Sequence, residues 1–218
     1  MSDDAVEAML TANEARVLGC LMEKQMTTPE YYPLTLKALT AACNQKSSRN
    51  PVMNLSEAEV GGVVNGLRSR GLITARMDSR VDRYEHHLSR KLGLNSRGRA
   101  VICVLMLRSL LTLNEIRINT GRMVEFDSTE ELQSVLDGLM AREEPLVLRI
   151  PRATGQREDR FVHLLCGEPD IEAPQRSVSP SPSGVGIDAD RITRLEQEVA
   201  ALKAEVQQLR ELTGYSKN

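Results

Sequence analysis

The chain has no tryptophan, and aromatic residues make up 3% of its 218 positions, four Tyr and two Phe. Aromatic stacking platforms for single-stranded nucleic acid are therefore excluded, and any core must be built from Leu, Val, Ile, Met and Ala. Histidine is as scarce, limited to His86, His87 and His163. None stands in an H-x-x-x-H or H-E-x-x-H spacing, so no metal site is expected. The four cysteines, Cys20, Cys43, Cys103 and Cys166, are dispersed without a C-x-x-C. They read as reduced thiols of a cytoplasmic protein, Cys20 and Cys43 on or beside apolar helix faces. Neither G-x-x-x-x-G-K-[ST] nor G-x-G-x-x-G occurs, so no cofactor is expected and an enzyme is not the reading. Gly61, Gly62 and Gly66 fall inside a helical pattern and are expected to allow close helix packing. No run of ~18 apolar residues is available to span a membrane. The acidic start Met1-Ser-Asp-Asp does not read as a signal peptide.

An excess of one charge is missing too. The net charge is −2. Residues 1–92 carry 12 basic and 11 acidic groups, which becomes +4 without the acidic leader 1–9; residues 93–166 carry 10 and 10; residues 167–218 carry 6 and 9. A dedicated duplex binder shows a basic face. Only the first segment has any surplus.

What the chain does have is a repeat. Leu10 to Met22 aligns with Leu94 to Met106 at an offset of 84, and Leu34-Thr-Leu-Lys-Ala-Leu39 with Leu111-Thr-Leu-Asn-Glu-Ile116 at 77. Ser56-Glu-Ala-Glu-Val60 aligns with Ser128-Thr-Glu-Glu-Leu132 at 72, and Tyr84-Glu-His-His-Leu88 with Phe161-Val-His-Leu-Leu165 at 77. Copies that differ in loop length while their elements match are tandem domains of one fold, not a solenoid. Within the first copy, Thr11 and Glu14 form a capping box ahead of Val17, Leu18, Leu21 and Met22. Pro33 suits the opening of a second helix with Leu36, Leu39 and Cys43 inward. Ser56 and Glu59 cap a third, with Val60, Val63, Val64 and Leu67 as its stripe and Gly71 past its end. Strands over 72–77 and 84–88 flank a turn at 78–82. The second copy predicts helices near 96–109, 113–120 and 128–142, with capping boxes Thr112/Glu115 and Ser128/Glu131, and strands near 146–150 and 161–165. Three helices and a hairpin describe a winged helix, a helix-turn-helix with a β-wing. Residues 10–92 and 93–166 are the two domains. The expected class is mainly α with small β-wings, α+β.

Residues 167–187 form a Pro/Ser/Gly linker with too little apolar surface to fold. Over 188–212 a heptad pattern follows, with Ile192, Val199 and Val206 at a and Leu195, Leu202 and Leu209 at d. β-branched a with Leu d favours a parallel two-stranded coiled coil. Its g–e′ pairs, Arg191–Glu196, Glu198–Lys203 and Glu205–Arg210, are all opposite in sign. A homodimer through this tail is expected, with packing of the helix on its own chain as the alternative.

For duplex DNA, the candidate contacts are Lys46 and Arg49 ahead of the third helix, Arg68 and Arg70 at its end, and Arg76, Arg80 and Arg83 on the wing. Against them stand Glu57 and Glu59, or Glu130 and Glu131, in the first turns that would enter a groove. A protein partner is the alternative. His86 and His163 occupy the same point of each wing strand and read as packed residues at the strand–helix junction. Tyr31-Tyr-Pro33 and Asn44 to Pro51 lie where the first copy carries extra residues, and serve either as contact surface or as packing between the domains.

The stretches Leu10 to Gln25, Thr28-Pro-Glu-Tyr-Tyr-Pro-Leu-Thr-Leu-Lys-Ala-Leu39 and Cys43-Asn-Gln-Lys-Ser-Ser-Arg-Asn-Pro-Val-Met53 resemble the YceH family of bacterial proteins. The resemblance covers residues 10–166 and extends to the C-terminal heptads. It implies two tandem winged-helix domains in a bacterial cytoplasm, and it implies no activity and no catalytic residues.

Overall fold

Local capping decides where the helices begin. The computed structural model describes residues 9–78 and 81–169, all within a unit that runs to Pro169. Helix α1 (Ala12–Thr27) opens on Thr11, whose hydroxyl accepts from the Glu14 amide while the Glu14 carboxylate accepts from the Thr11 amide. At the matching point of the second copy, Asn95 caps α5 (Ser96–Arg108) by accepting from the Gly98 amide at 2.8 Å. Pro33 does not open the second helix. It precedes a two-residue strand, β1 (Leu34–Thr35), and Thr35 caps α2 (Leu36–Cys43). The second copy repeats this with β4 (Leu111–Thr112) and α6 (Leu113–Thr120), where Thr112 and Glu115 complete a capping box. Helix α3 (Glu57–Ser69) carries the Ser56/Glu59 box. In α7 (Thr129–Met140) only half of the expected box forms, because the Glu131 carboxylate takes the Asp127 amide instead of that of Ser128. Gly71 ends the α3 turn at φ +62, with the Leu72 amide reaching back to Leu67.

Each copy closes with a hairpin, β2 (Ile73–Asp78) and β3 (Val81–His86) in the first, β5 (Val147–Ile150) and β6 (Arg160–His163) in the second. A short helix α4 (Leu88–Lys91) lies between the copies. The two-residue strands, too short to carry a sequence signal, complete antiparallel sheets of order β1-β3-β2 and β4-β6-β5. Their registers match. Leu34 faces Tyr84 as Leu111 faces Phe161, and Ile73 faces His86 as Val147 faces His163. A slip of one residue would turn each aromatic out of its core, so matched registers make the copies equivalent residue by residue.

The first helices of the two copies are the centre of the described unit. Every residue from Ala15 to Met22 is buried, and so are Gly98 and Ala100 to Leu107. A helix buried on all sides lies between layers rather than on one. Helices α1 and α5 pack on each other at equivalent positions: the Cys103 thiol donates to the Gly19 carbonyl at 3.4 Å, and Cys103 is the counterpart of Gly19. A Cβ on Gly19 would sit 3.0 Å from Leu107, so the missing side chain sets how closely the helices approach. An element meeting its own counterpart is the contact pattern of a two-fold dimer, here inside one chain. The Leu10 amide also bonds the Leu165 carbonyl at 2.7 Å, and the Asn50 amide bonds Leu107 at 2.9 Å. The apolar cores of the two copies are continuous.

The expected α3 stripe forms, with Val60, Val64 and Leu67 enclosed and Val63 partly buried against the same core; in α7 Leu136 is enclosed and Val135 partly buried. One expectation fails on packing. Gly62 and Gly66 have nothing within 4 Å of where a Cβ would stand, and Gly61 only touches Leu36. The close-packing glycine is Gly19 instead.

Candidate functional site

The extra loop of the first copy, between α2 and α3, is anchored by a buried arginine. Arg49 donates to both Glu23 carboxylate oxygens, at 3.1 and 2.6 Å, to the carbonyls of Ala42 and Ser48, and to the Gln45 side chain. These five bonds use the guanidinium's full set of donors, and its side chain has no exposed surface. Arg49 therefore leaves the set of candidate duplex contacts. It holds the loop, and breaking such a buried pair by removing one partner costs about 3–5 kcal/mol. Arg16, in the middle of α1, donates to the carbonyls of Cys43 at 3.1 Å and Pro51 at 2.6 Å. The Asn50–Leu107 bond ties this loop to the second copy, while Tyr31 stays 69% exposed. A charged residue inside the apolar run Ala15–Met22 was the sequence signal for Arg16. Glu23 carried none.

The other cations divide. Arg70 pairs with Glu14 at 3.0 Å. Arg83 donates to the Pro33 carbonyl at 3.1 Å, just as its counterpart Arg160 donates to Leu110 at 3.3 Å, so both brace a sheet against the chain entering it. Arg76 pairs with Glu85 at 3.0 Å but remains 65% exposed; a pair of that kind contributes about 0–1 kcal/mol and holds the side chain weakly. Lys46 and Arg68 are exposed. Arg80 lies outside the described residues, as do Ile192, Leu195, Val199, Leu202, Val206 and Leu209 with the linker and heptads around them. Glu57 and Glu59 stand exposed in the first turn of α3, where the Ser56 hydroxyl and amide hold the Glu59 carboxyl below its ordinary value. Exposed apolar side chains gather on the first copy, with Met77 at 88%, Val81 at 55% and Val52 at 55%.

His86 and His163 are packed as expected. Burial pushes each down to about 4, with the Arg99 and His87 charges adding to the effect at His86. The His86 ring meets Gln25 at 3.0 Å, and its amide donates to the Tyr32 hydroxyl at 2.8 Å. A cavity of about 220 Å³ lies between the copies, lined among others by Ala15, Arg16, Met53, Met106, His163 and Cys166. Cys166 there is raised by burial and by Glu14, the opposite of what a nucleophile requires. Among the described residues, no group of three His, Cys, Asp or Glu could hold a metal ion, and no helix is long and apolar enough to cross a membrane.

The family model described as a protein of unknown function, DUF480, matches residues 10–156. The chain belongs to that family. A UPF0502 protein of Vibrio atlanticus is 42% identical over 214 residues, covering 95% of this chain and 98% of that one. Another, from Pelobacter propionicus, is 47% identical over 209 residues, covering 94% and 95%. A third, from Geobacter sulfurreducens, is 46% identical over 200 residues, covering 90% and 91%. These matches agree with the resemblance carried by Leu10–Gln25 and Thr28–Met53. As a DUF480 protein, the chain shares its length and both copies with relatives from several bacterial genera.

Proposed function

We propose that this DUF480 protein is a non-enzymatic cytoplasmic adaptor: two tandem winged-helix domains, dimerised by a C-terminal coiled coil, whose first domain docks a protein partner. The observation that carries the reading is the fate of the arginines. Arg49, Arg70 and Arg83 are engaged within the fold, while Met77, Val81, Val52 and Tyr31 stand exposed on the same copy. Apolar and aromatic groups of this kind are enriched at the centres of protein interfaces, whereas a duplex would meet the carboxylates of Glu57 and Glu59 first. A second reading, duplex DNA, keeps support from exposed Lys46 and Arg68 and from Arg76.

The test is affinity purification from the native host alongside fluorescence anisotropy with a random duplex. A protein partner should be retained at ~150 mM salt and lost on Met77→Asp with Val81→Asp, a pair of exposed substitutions that leaves the melting profile unchanged. Duplex binding that falls steeply between ~50 and ~200 mM salt, and that drops on Lys46→Ala with Arg68→Ala, would replace this reading with the second.

A further inference from the structure

Arg16 is a buried cation for which the described residues supply no anion. It is 1% exposed, and its two acceptors, the carbonyls of Cys43 and Pro51, are neutral. A guanidinium has five donors, so most of this one's are unused, and its Nε is buried without a partner. Arg49, the other buried arginine, has the Glu23 carboxylate. A buried charge ordinarily carries its counter-charge with it. Burial holds the Arg16 guanidinium below its ordinary value.

The space beside Arg16 is the cavity of about 220 Å³ between the copies. Its enclosed walls are apolar: Ala15 from α1, Leu105 and Met106 from α5, and Val162 from β6. Ala12, Asn50, Pro51, Ser109 and Cys166 line it as exposed residues and give it a side open to solvent. Arg16 and Glu168 are the charged residues of the lining, the first enclosed and the second exposed. His163 lines it too, held neutral by burial and with its Nδ1 unpartnered. Ser109 adopts φ +64 and ψ −135 there, a strained conformation of the kind that gathers at ligand sites.

We propose that this cavity binds a small organic acid, one carboxylate on an apolar body, with the carboxylate toward Arg16 and the body against Leu105, Met106 and Val162. Its volume limits the body. A dry cavity of about 150 Å³ takes benzene, so one of about 220 Å³ takes on the order of nine non-hydrogen atoms. The attraction requires no direct hydrogen bond to Arg16, because the Coulomb energy between opposite charges is large where water is excluded. Inorganic phosphate is the poorer fit. Its charge would exceed that of the one enclosed cation, and the apolar walls offer its oxygens no donors. Ala15 and Arg16 belong to the first copy, and Leu105, Met106 and Val162 to the second, so the bound acid touches both.

The probe is benzoate, which has the expected size and charge, and benzamide is its neutral isostere. Cys166 reports from the site itself, since it lines the cavity and is exposed while Cys20, Cys43 and Cys103 are buried. Its alkylation by iodoacetamide in the folded full-length chain is followed by mass spectrometry at constant ionic strength. Benzoate should slow the reaction saturably, about tenfold at ten times its Kd. Benzamide should need at least about ten times the concentration for equal protection. Ala12→Phe fills the cavity from an exposed position on its wall and removes neither Arg16 hydrogen bond. It should keep the parent melting temperature and abolish the calorimetric heat of benzoate binding. No protection by benzoate, equal protection by benzamide, stronger protection by inorganic phosphate, or undiminished benzoate heat in folded Ala12→Phe would each overturn the proposal.

Discussion

A single side chain decides several properties of this protein, and glycine shows it most simply. Gly62 and Gly66 sit inside α3, exposed and with no neighbour at the Cβ position, so they weaken the helix without a packing return. Gly62→Ala and Gly66→Ala should each raise stability by about 0.5–1 kcal/mol, read as a shift in urea midpoint. Gly19→Ala should do the opposite, by about 1–3 kcal/mol, because its Cβ would press on buried Leu107. The sequence grouped Gly61, Gly62 and Gly66 as packing residues, since a one-dimensional pattern does not say which helical face a neighbour covers. Histidine behaves as another residue-scale reporter. The fold keeps His86 neutral down to about pH 4, whereas the unfolded chain protonates near 6.5. Between those values the unfolded state binds more protons, so stability falls as pH falls through that window and is complete above it. A shift of that size contributes up to about 3 kcal/mol. Urea midpoints should drop between pH 7 and pH 5, and His86→Phe should flatten the slope; an equal drop in that variant would assign the effect elsewhere.

At the scale of elements, caps and stripes read well from sequence and short strands did not. Thr11, Ser56, Thr112 and Ser128 each begin a helix as read, because the side-chain oxygen that satisfies a free amide must lie next to it in sequence; Thr35, which caps α2, was passed over for Pro33. Strands β1 and β4 exist only through pairing with β3 and β6, and a two-residue segment has no period to detect. The α3 stripe was legible, but not its order of burial: Val64 is fully enclosed and Val63 only partly, as Leu136 and Val135 are in α7. Val64→Asp and Leu136→Asp should each cost about 3 kcal/mol or more, while Val63→Asp and Val135→Asp should cost far less. Because α1 and α5 join the two cores, differential scanning calorimetry should record one shifted transition for either mutant. Loss of one transition with the other intact would mean that the copies fold independently.

The whole molecule is expected to act as two chains together. Three a/d layers and three complementary g–e′ pairs in the tail sequence lead to the expectation that the intact protein is a dimer and a chain ending at Pro169 a monomer. Light scattering on both decides it, and a dimeric truncation would move the interface into the repeated domains. A dimer of this kind would present four copies of one unit, two joined through α1 and α5 and the pairs joined by the tail.

The sequence by itself determined the duplication, the order of helices and hairpins, four of the helix caps, and membership of the DUF480 family. All of these depend on residues close together in the chain or on matches between one stretch and another. Tertiary structure alone decided which arginines are free to meet a partner. Arg49 looked like a surface cation because it sits in a polar loop, yet Glu23, 26 residues away, draws it inside. It also decided that Gly19 meets its own counterpart Cys103 across 84 residues, and that Arg16 and Arg49 both reach the carbonyls that end α2. Burial and charge pairing depend on distances through space, and local sequence pattern carries no term for them.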